Sequence, residues 1–295
     1  MSIKEHPPHH VPVLLKASLE LLAPGPGDRY LDLTAGYGGH AKAFLAKTNN
    51  YNGACLVDRD SFAIAELEQF ASKGVRLIHS DFATTAQNLV QAGEKFDCIL
   101  VDLGVSSPQL DRAQRGFSFS MDGPLDMRMD DRDQLTAADV VNTWPEQQLA
   151  GIIHKYGEET HSVSRRYAKA IVEARPFTTT SQLAKTIVGA HIGKHQRTNP
   201  ATRTFQAIRI ALNQELEQIE SLLSLIPQLL NKGGRIGIIS FHSLEDRLIK
   251  RYFAEQDKSG YEAELELITK KPRRGTEDVN NPRARSATLR AARKI

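Results

Sequence analysis

Cysteine is scarce, with two in 295 residues. Cys55 and Cys98 each sit inside an apolar run, Ala54 to Val57 and Cys98 to Val101, which reads as burial of two small hydrophobes rather than a disulfide or a thiolate metal site. No stretch approaches the roughly 18 consecutive apolar residues of a membrane span. The start of the chain has neither an apolar signal core nor an Arg-rich amphipathic pattern, so no membrane partner is expected and the expected compartment is a reducing cytoplasm. HExxH, paired CxxC and GxSxG are missing, which removes the common zinc-hydrolase and serine-hydrolase classes. His6, His9 and His10 do not make a metal site either, because Pro7 and Pro8 lie between them and no acid or cysteine completes a set. No internal repeat or low-complexity tract occurs. What is present, 40% hydrophobic and 25% charged residues, is the composition of a folded globule.

The formal charge of +3 is unevenly spread. Lys270 to Ile295 holds nine Lys/Arg against two acids, whereas the other 269 residues hold 29 Lys/Arg against 33 Asp/Glu. A second, acid-free stretch runs from Lys185 to Arg209 and contains Lys194, Arg197 and Arg203. Clustering of this kind is the footprint of a protein that touches a phosphate backbone. It is equally that of a solvated face and a frayed basic terminus.

Short β-branched runs alternate with helical-period segments, the pattern of parallel strands joined by crossover helices. The strands expected are Arg29 to Leu33, Ala54 to Val57, Val75 to His79, Phe96 to Leu103 and Arg235 to Phe241. Between the last two lie helical-period stretches at Ala137 to Asn142, Glu146 to Tyr156, Ser164 to Ala174, Thr180 to Gly189 and Pro200 to Leu230, with no comparable β run. The economical reading is an α/β sheet with a helical subdomain inserted after its fourth strand.

The first strand runs into Gly36-x-Gly38-x-x-Ala41, a turn whose missing Cβ atoms let a ligand approach the backbone and the N–H groups of the following helix. That spacing suits NAD and S-adenosylmethionine alike. Asp58, ending the second strand, can accept hydrogen bonds from ribose hydroxyls, and Asp81-Phe82, ending the third, offers an acid and an aromatic for an adenine ring. The fourth ends in Asp102-Leu-Gly-Val-Ser-Ser-Pro-Gln109, a polar turn at the edge where open sheets bind ligands. Methyl transfer from a sulfonium needs in-line placement and proton removal, and no metal.

Several blocks now carry a resemblance: His10-Val-Pro-Val-Leu-Leu15, Asp32-x-Thr-x-Gly-x-Gly-Gly-His40, Asp58-Arg-Asp60, Asp102 to Leu110, Arg115-Gly-Phe-Ser-Phe119, Leu125-Asp-Met-Arg-Met129, Asn199 to Arg209 and Ser240-Phe-His-Ser-Leu-Glu-Asp-Arg247. In order and extent they resemble the signature blocks of the RsmH (MraW) family. The resemblance implies a Rossmann-like class I methyltransferase sheet with an inserted all-helical subdomain, S-adenosylmethionine as cofactor, and methylation of N4 of a cytidine in the decoding region (P site) of 16S ribosomal RNA. It implies cofactor contacts from Gly38, Gly39, His40, Asp58, Phe82, Asp102 and Gln109. The expected organisation is a methyltransferase domain in two parts, 1–108 and 213–295, around a substrate-recognition subdomain at 109–212. Leu33 stands where the family usually has a small residue and is expected to crowd the glycine turn. Asn199 and the segment Arg273-Arg274-Gly275 also depart from the family pattern.

For such a reaction the Asp102 to Pro108 turn is expected to face the amine, with Asp102 accepting its proton or else holding the cofactor, and Ser106 and Ser107 holding the base or else capping a helix. Phe117, Phe119 and Phe205 read first as core and second as supports for an unstacked base. In the Ser240 to Arg247 block, Ser243 is expected to cap a helix with Asp246 at its third position, and His242 or Glu245 to line the cleft. The expected RNA contacts are Lys194, Arg197, Arg203, Arg209, Lys270, Lys271, Arg273, Arg274, Arg283 and Arg285. Truncating the basic tail should then weaken RNA binding and spare cofactor affinity, and equal loss of both would mark a folding role. The partner is 16S rRNA, free or within the small ribosomal subunit, and the sequence leaves monomer and homodimer open. Two rivals share these features: a nicotinamide-dependent oxidoreductase, which lacks a visible proton relay, and a non-catalytic ribosome-assembly factor, against which the intact Asp102 to Gln109 turn argues.

Overall fold

The computed structural model describes residues 12–193, 199–279 and 281–295. His6, His9, His10, Lys194 and Arg197 lie outside the described residues. Helix α1 (Leu15–Leu22) precedes four βα repeats: β1 (Tyr30–Asp32), α2 (Gly39–Thr48), β2 (Cys55–Asp58), α3 (Ser61–Ala71), β3 (Arg76–His79), α4 (Phe82–Gln91) and β4 (Phe96–Asp102), followed by a short α5 (Ser107–Asp111). Five helices come next: α6 (Ala137–Thr143), α7 (Glu146–Gly157), α8 (His161–Glu173), α9 (Thr180–Ala190) and α10 (Ala201–Asn213). The chain ends with α11 (Glu215–Leu229), β5 (Leu230–Ser240), α12 (Ser243–Lys258), β6 (Leu265–Leu267), β7 (Arg273–Arg274) and β8 (Thr288–Lys294).

Two compact units result, Met1–Gly104 with Leu216–Ile295, and Val105–Glu215. The first is built on one sheet of order β3-β2-β1-β4-β5-β8-β6, with β7 paired to β8. Strands β1 to β5 are parallel, and β8 enters antiparallel between β5 and β6. β1 and the apolar cores of β2 and β4 are buried without alternation, as expected of parallel strands covered on both faces. Leu33 is 1% exposed and belongs to the core with Leu31, Val57 and Val101, so it packs into the sheet's filling and does not crowd the glycine turn. Both cysteines are buried and free. Side-chain caps start the helices where the sequence supplies acids: Asp60 accepts from Phe62 N–H at 3.0 Å and Asp81 from Thr84 N–H at 2.8 Å. The second unit has its own core, in which Tyr167, Leu149, Ile153, Ile171 and Ile208 are all at most 1% exposed.

Two expectations about the chain's course change. The helical-period stretch from Pro200 to Leu230 is two helices, because Gln214 adopts φ 51°, a left-handed conformation that ends α10 at Asn213. The basic C-terminal segment is not a frayed tail. Thr288 to Arg290 and Ala291 to Ala292 are buried in β8, and Arg290 is neutralised by Asp246, with Nε and Nη2 donating at 2.8 and 3.0 Å. Removing β8 strips β5 and β6 of their shared partner, so truncation there acts on folding first. Among the described residues no helix is long and apolar enough to cross a membrane.

Candidate active site

The parallel order reverses between β1 and β4, and open sheets bind ligands outside the carboxyl ends of their strands at such a switch point. Three neighbouring strands end there in aspartates, Asp58 on β2, Asp32 on β1 and Asp102 on β4. The glycine turn follows β1. Gly38 has φ 79°, and a Cβ on it would meet the Phe70 ring at 2.5 Å, so only glycine fits. A Cβ on Gly39 would meet Pro12 at 2.6 Å. α2 begins at Gly39 with no side-chain cap, which leaves first-turn N–H groups for a ligand. Asp58 fixes the turn: its oxygens accept Gly36 N–H at 2.7 Å and Asp60 N–H at 2.9 Å, and burial pushes its pKa up.

Asp32 is 1% exposed. Tyr30 and Asp32 share one face of β1 because side chains alternate with period two, and the Tyr30 hydroxyl donates to Asp32 at 2.7 Å. Thr34 N–H donates to the other oxygen at 3.2 Å. Burial pushes the carboxyl up to about 7 against the lowering effect of these bonds. The Thr34 hydroxyl accepts Asp102 N–H at 2.5 Å, tying the ends of β1 and β4 together.

Asp102 is treated differently. Its Oδ1 is buried with no hydrogen-bond partner, and its Oδ2 lies 3.6 Å from Nδ1 of buried His40. His40 Nε2 is 3.0 Å from the Val13 carbonyl, which can only accept, so the ring proton sits on Nε2 and Nδ1 faces the carboxylate. Burial, then the charges of Asp32 and Glu245, hold the Asp102 pKa well above the usual carboxylate range. Glu245 is fully buried at the third position of α12, where it accepts Phe241 N–H at 2.7 Å and His242 N–H at 3.2 Å. The cap of α12 is therefore His242 with Glu245, and the expected Ser243 and Asp246 pairing does not form. Ser243 is the first helical residue, and Asp246 is engaged by Arg290.

Phe82 opens α4 and is 7% exposed within the core. Ser106, Ser107 and Gln109 belong to the second unit. There Ser106 N–H donates to Gln109 Oε1 at 2.8 Å and Gln109 N–H to Ser106 Oγ at 3.4 Å, a capping box on α5. Phe117 and Phe205 are buried core residues, and Phe119 meets Phe205 edge-on with centroids 4.8 Å apart.

Several expected RNA contacts already hold acids. Arg209 grips Glu215 through two bonds of 2.8 and 2.9 Å and is largely buried, so it is an internal ion pair rather than a surface cation. Arg203 lies 3.6 Å from Glu159, and Arg273 donates to Glu277 at 2.6 Å. Lys270, Lys271, Arg274, Arg283 and Arg285 are exposed. Asp32 and Thr34 stand in the Asp32-x-Thr-x-Gly-x-Gly-Gly-His40 block with no expected task of their own. The Tyr30, Asp32 and Thr34 spacing before a glycine turn is the signal that could have found the network.

The switch-point geometry suits an adenosine-bearing sulfonium: a glycine cradle, a strand-end acid on β2 and an unpaired carboxylate oxygen on β4. A family model, that of the MraW methylase family, matches residues 8–295. The chain is 47% identical over 299 residues to "Ribosomal RNA small subunit methyltransferase H" of Synechocystis sp., covering 97% of this chain and 94% of that protein. It is 47% identical over 294 residues to the protein of that name from Synechococcus elongatus, covering 97% and 95%. The Acidobacterium capsulatum protein of that name is also 47% identical, over 97% of this chain and 98% of its own. Matched over nearly its whole length in this way, the chain belongs to the MraW methylase family, whose methyl donor is S-adenosylmethionine.

Proposed function

We propose that this protein methylates ribosomal RNA of the small subunit, and that the accepting atom is N4 of a cytidine in the decoding region (P site) of 16S rRNA, in the cytoplasm. The names and near-complete coverage of the relatives support the substrate class. The observation that carries the chemistry is the buried, unpartnered Oδ1 of Asp102 at the switch point.

When bound, S-adenosylmethionine supplies an electrophilic methyl on a sulfonium. Gly38 and Gly39 with the first turn of α2 would hold its polar part, Asp58 its ribose hydroxyls, and Phe82 its adenine. An exocyclic amine is a poor nucleophile because its lone pair is delocalised into the ring, so the protein must orient N4 and take a proton from it. Asp102 Oδ1 accepts an N4–H, which turns the nitrogen lone pair and then receives the proton. His40, anchored through Nε2, places its unprotonated Nδ1 3.6 Å from the other carboxylate oxygen, where it can take up a proton that the carboxyl passes on. Ser106 and Ser107, which follow Asp102 in the chain, hold the base, and Gln109 keeps their turn closed. Because Asp102 must be ionised to accept, turnover rises with pH through its raised pKa.

The test incubates the protein with labelled S-adenosylmethionine and undermethylated small subunits, then identifies the product nucleoside by mass spectrometry. Label in N4-methylcytidine is expected. Label on a carbon of the base, on a ribose, or nowhere would overturn the reading.

A further inference from the structure

β6 and β8 pair antiparallel at the side of the sheet away from β3, and α12 packs across them. A cavity of about 360 Å3 opens between helix and strands, within the roughly 300–1,000 Å3 of ligand sites. Lys250, Phe253 and Asp257 line its helix side, three and four residues apart and so on one helical face. Thr269, Lys270 and Arg290 line the strand side.

Some cations of this unit are paired with acids and others are not. Arg29, Arg76, Arg251, Arg273, Arg293 and Lys294 each have an acid within 4.0 Å. Lys250 and Lys270 have no ion pair or hydrogen bond with any described residue. Arg290 is nine-tenths buried, and Asp246 takes two of its five N–H donors, leaving three for a ligand. Counting Asp257 and Asp246 against the three cations leaves one positive charge in excess. That matches the single charge of a phosphodiester and falls short of a phosphate monoester or a nucleoside polyphosphate. Phe253 supplies an apolar wall that a nucleotide sugar covers and an inorganic ion does not.

We infer that this cavity seats a backbone phosphodiester of the substrate RNA, held by Lys250, Lys270 and Arg290. The assignment rests on the RNA reading above and adds a binding site separate from the methyl-donor site. Lys250 is absent from every basic run in the sequence, so only the fold brings it to Lys270.

The double variant Lys250→Gln/Lys270→Gln tests this, with Arg290 left alone because its bond to Asp246 joins β8 to α12. Binding of hexauridylate, which has backbone phosphates and no cytosine, is followed by fluorescence anisotropy across a salt series. The logarithmic salt slope is expected to become shallower by about 0.7, the value for one phosphate of a single strand. In the methylation assay the KM for small subunits should rise several-fold while donor affinity and Tm hold. An unchanged salt slope with an unchanged KM overturns the inference. Saturable protection of the wild type by inorganic phosphate, with hexauridylate affinity unchanged in the variant, reassigns the cavity to a free ion and also overturns it. A wild-type protein that binds hexauridylate but fails to methylate small subunits refutes the substrate reading instead, and the salt slope still decides the cavity.

Discussion

Asp32 closes β1 and Asp102 closes β4, adjacent parallel strands, yet Asp32 has both oxygens engaged, by Tyr30 and Thr34, while Asp102 keeps one oxygen buried and unpartnered. Leaving a buried polar group unpaired costs about 1–3 kcal/mol, and more when it is charged. Thr34 ties the two strand ends together, its N–H donating to the Asp32 carboxylate and its hydroxyl accepting the Asp102 backbone N–H, yet it leaves the Asp102 carboxylate oxygen open. The contrast separates a residue that builds the switch point from the one proposed to work in it.

The largest expected break in that contrast is Asp102→Asn. Removing the proton acceptor should lower turnover by about 10²- to 10⁴-fold, the range for general-base catalysis. Tm should hold or rise, because an uncompensated buried carboxylate is gone, and differential scanning fluorimetry checks this.

Asp32→Asn should do the reverse, acting on stability before rate. A carboxyl raised from 3.8 to about 7 by burial contributes stability that is complete below its unfolded value and is lost as pH rises through about 7. The variant lacks that loss, so its Tm relative to wild type should climb between acid and alkaline buffers, by up to about 4 kcal/mol in free energy. Its rate profile should also shift its acid limb to lower pH, since the Asp32 charge is the second cause, after burial, that raises Asp102.

Glu245→Gln sharpens the electrostatic part. Glutamine still caps α12, so folding is kept, and loss of the third cause should move the same limb to lower pH by less than Asp32→Asn does. A pH series of single-turnover rates measures both.

The smallest effect belongs to Tyr30→Phe. It deletes one donor to Asp32, which should cost about 1.5–3 kcal/mol where Asp32 is ionised and less where it is protonated. Urea titrations at two pH values check the difference.

The parallel half of this fold was legible because its signals are local. Apolar runs ending in acids, and a glycine turn before a helix, gave β1 to β4 and Asp58 and Asp102 at the ligand edge. β8 was not legible. Thr288 to Lys294 is basic and small-sided, and its burial depends on Asp246, 44 residues away, neutralising Arg290. The break at Gln214 carries no glycine or proline to announce it. His242 displaced Ser243 as the cap of α12 because its ring nitrogen and Glu245 satisfy each other's backbone donors, a choice that residue preference alone does not make.

The most direct test compares single-turnover methyl transfer to undermethylated small subunits by wild type and Asp102→Asn across pH, at saturating S-adenosylmethionine. Proton acceptance at Asp102 predicts a wild-type rate that rises with pH through a raised carboxyl pKa, and a variant that binds the donor but is slower by at least about 10²-fold with that rise abolished. A variant retaining the wild-type rate and the same pH profile would contradict it.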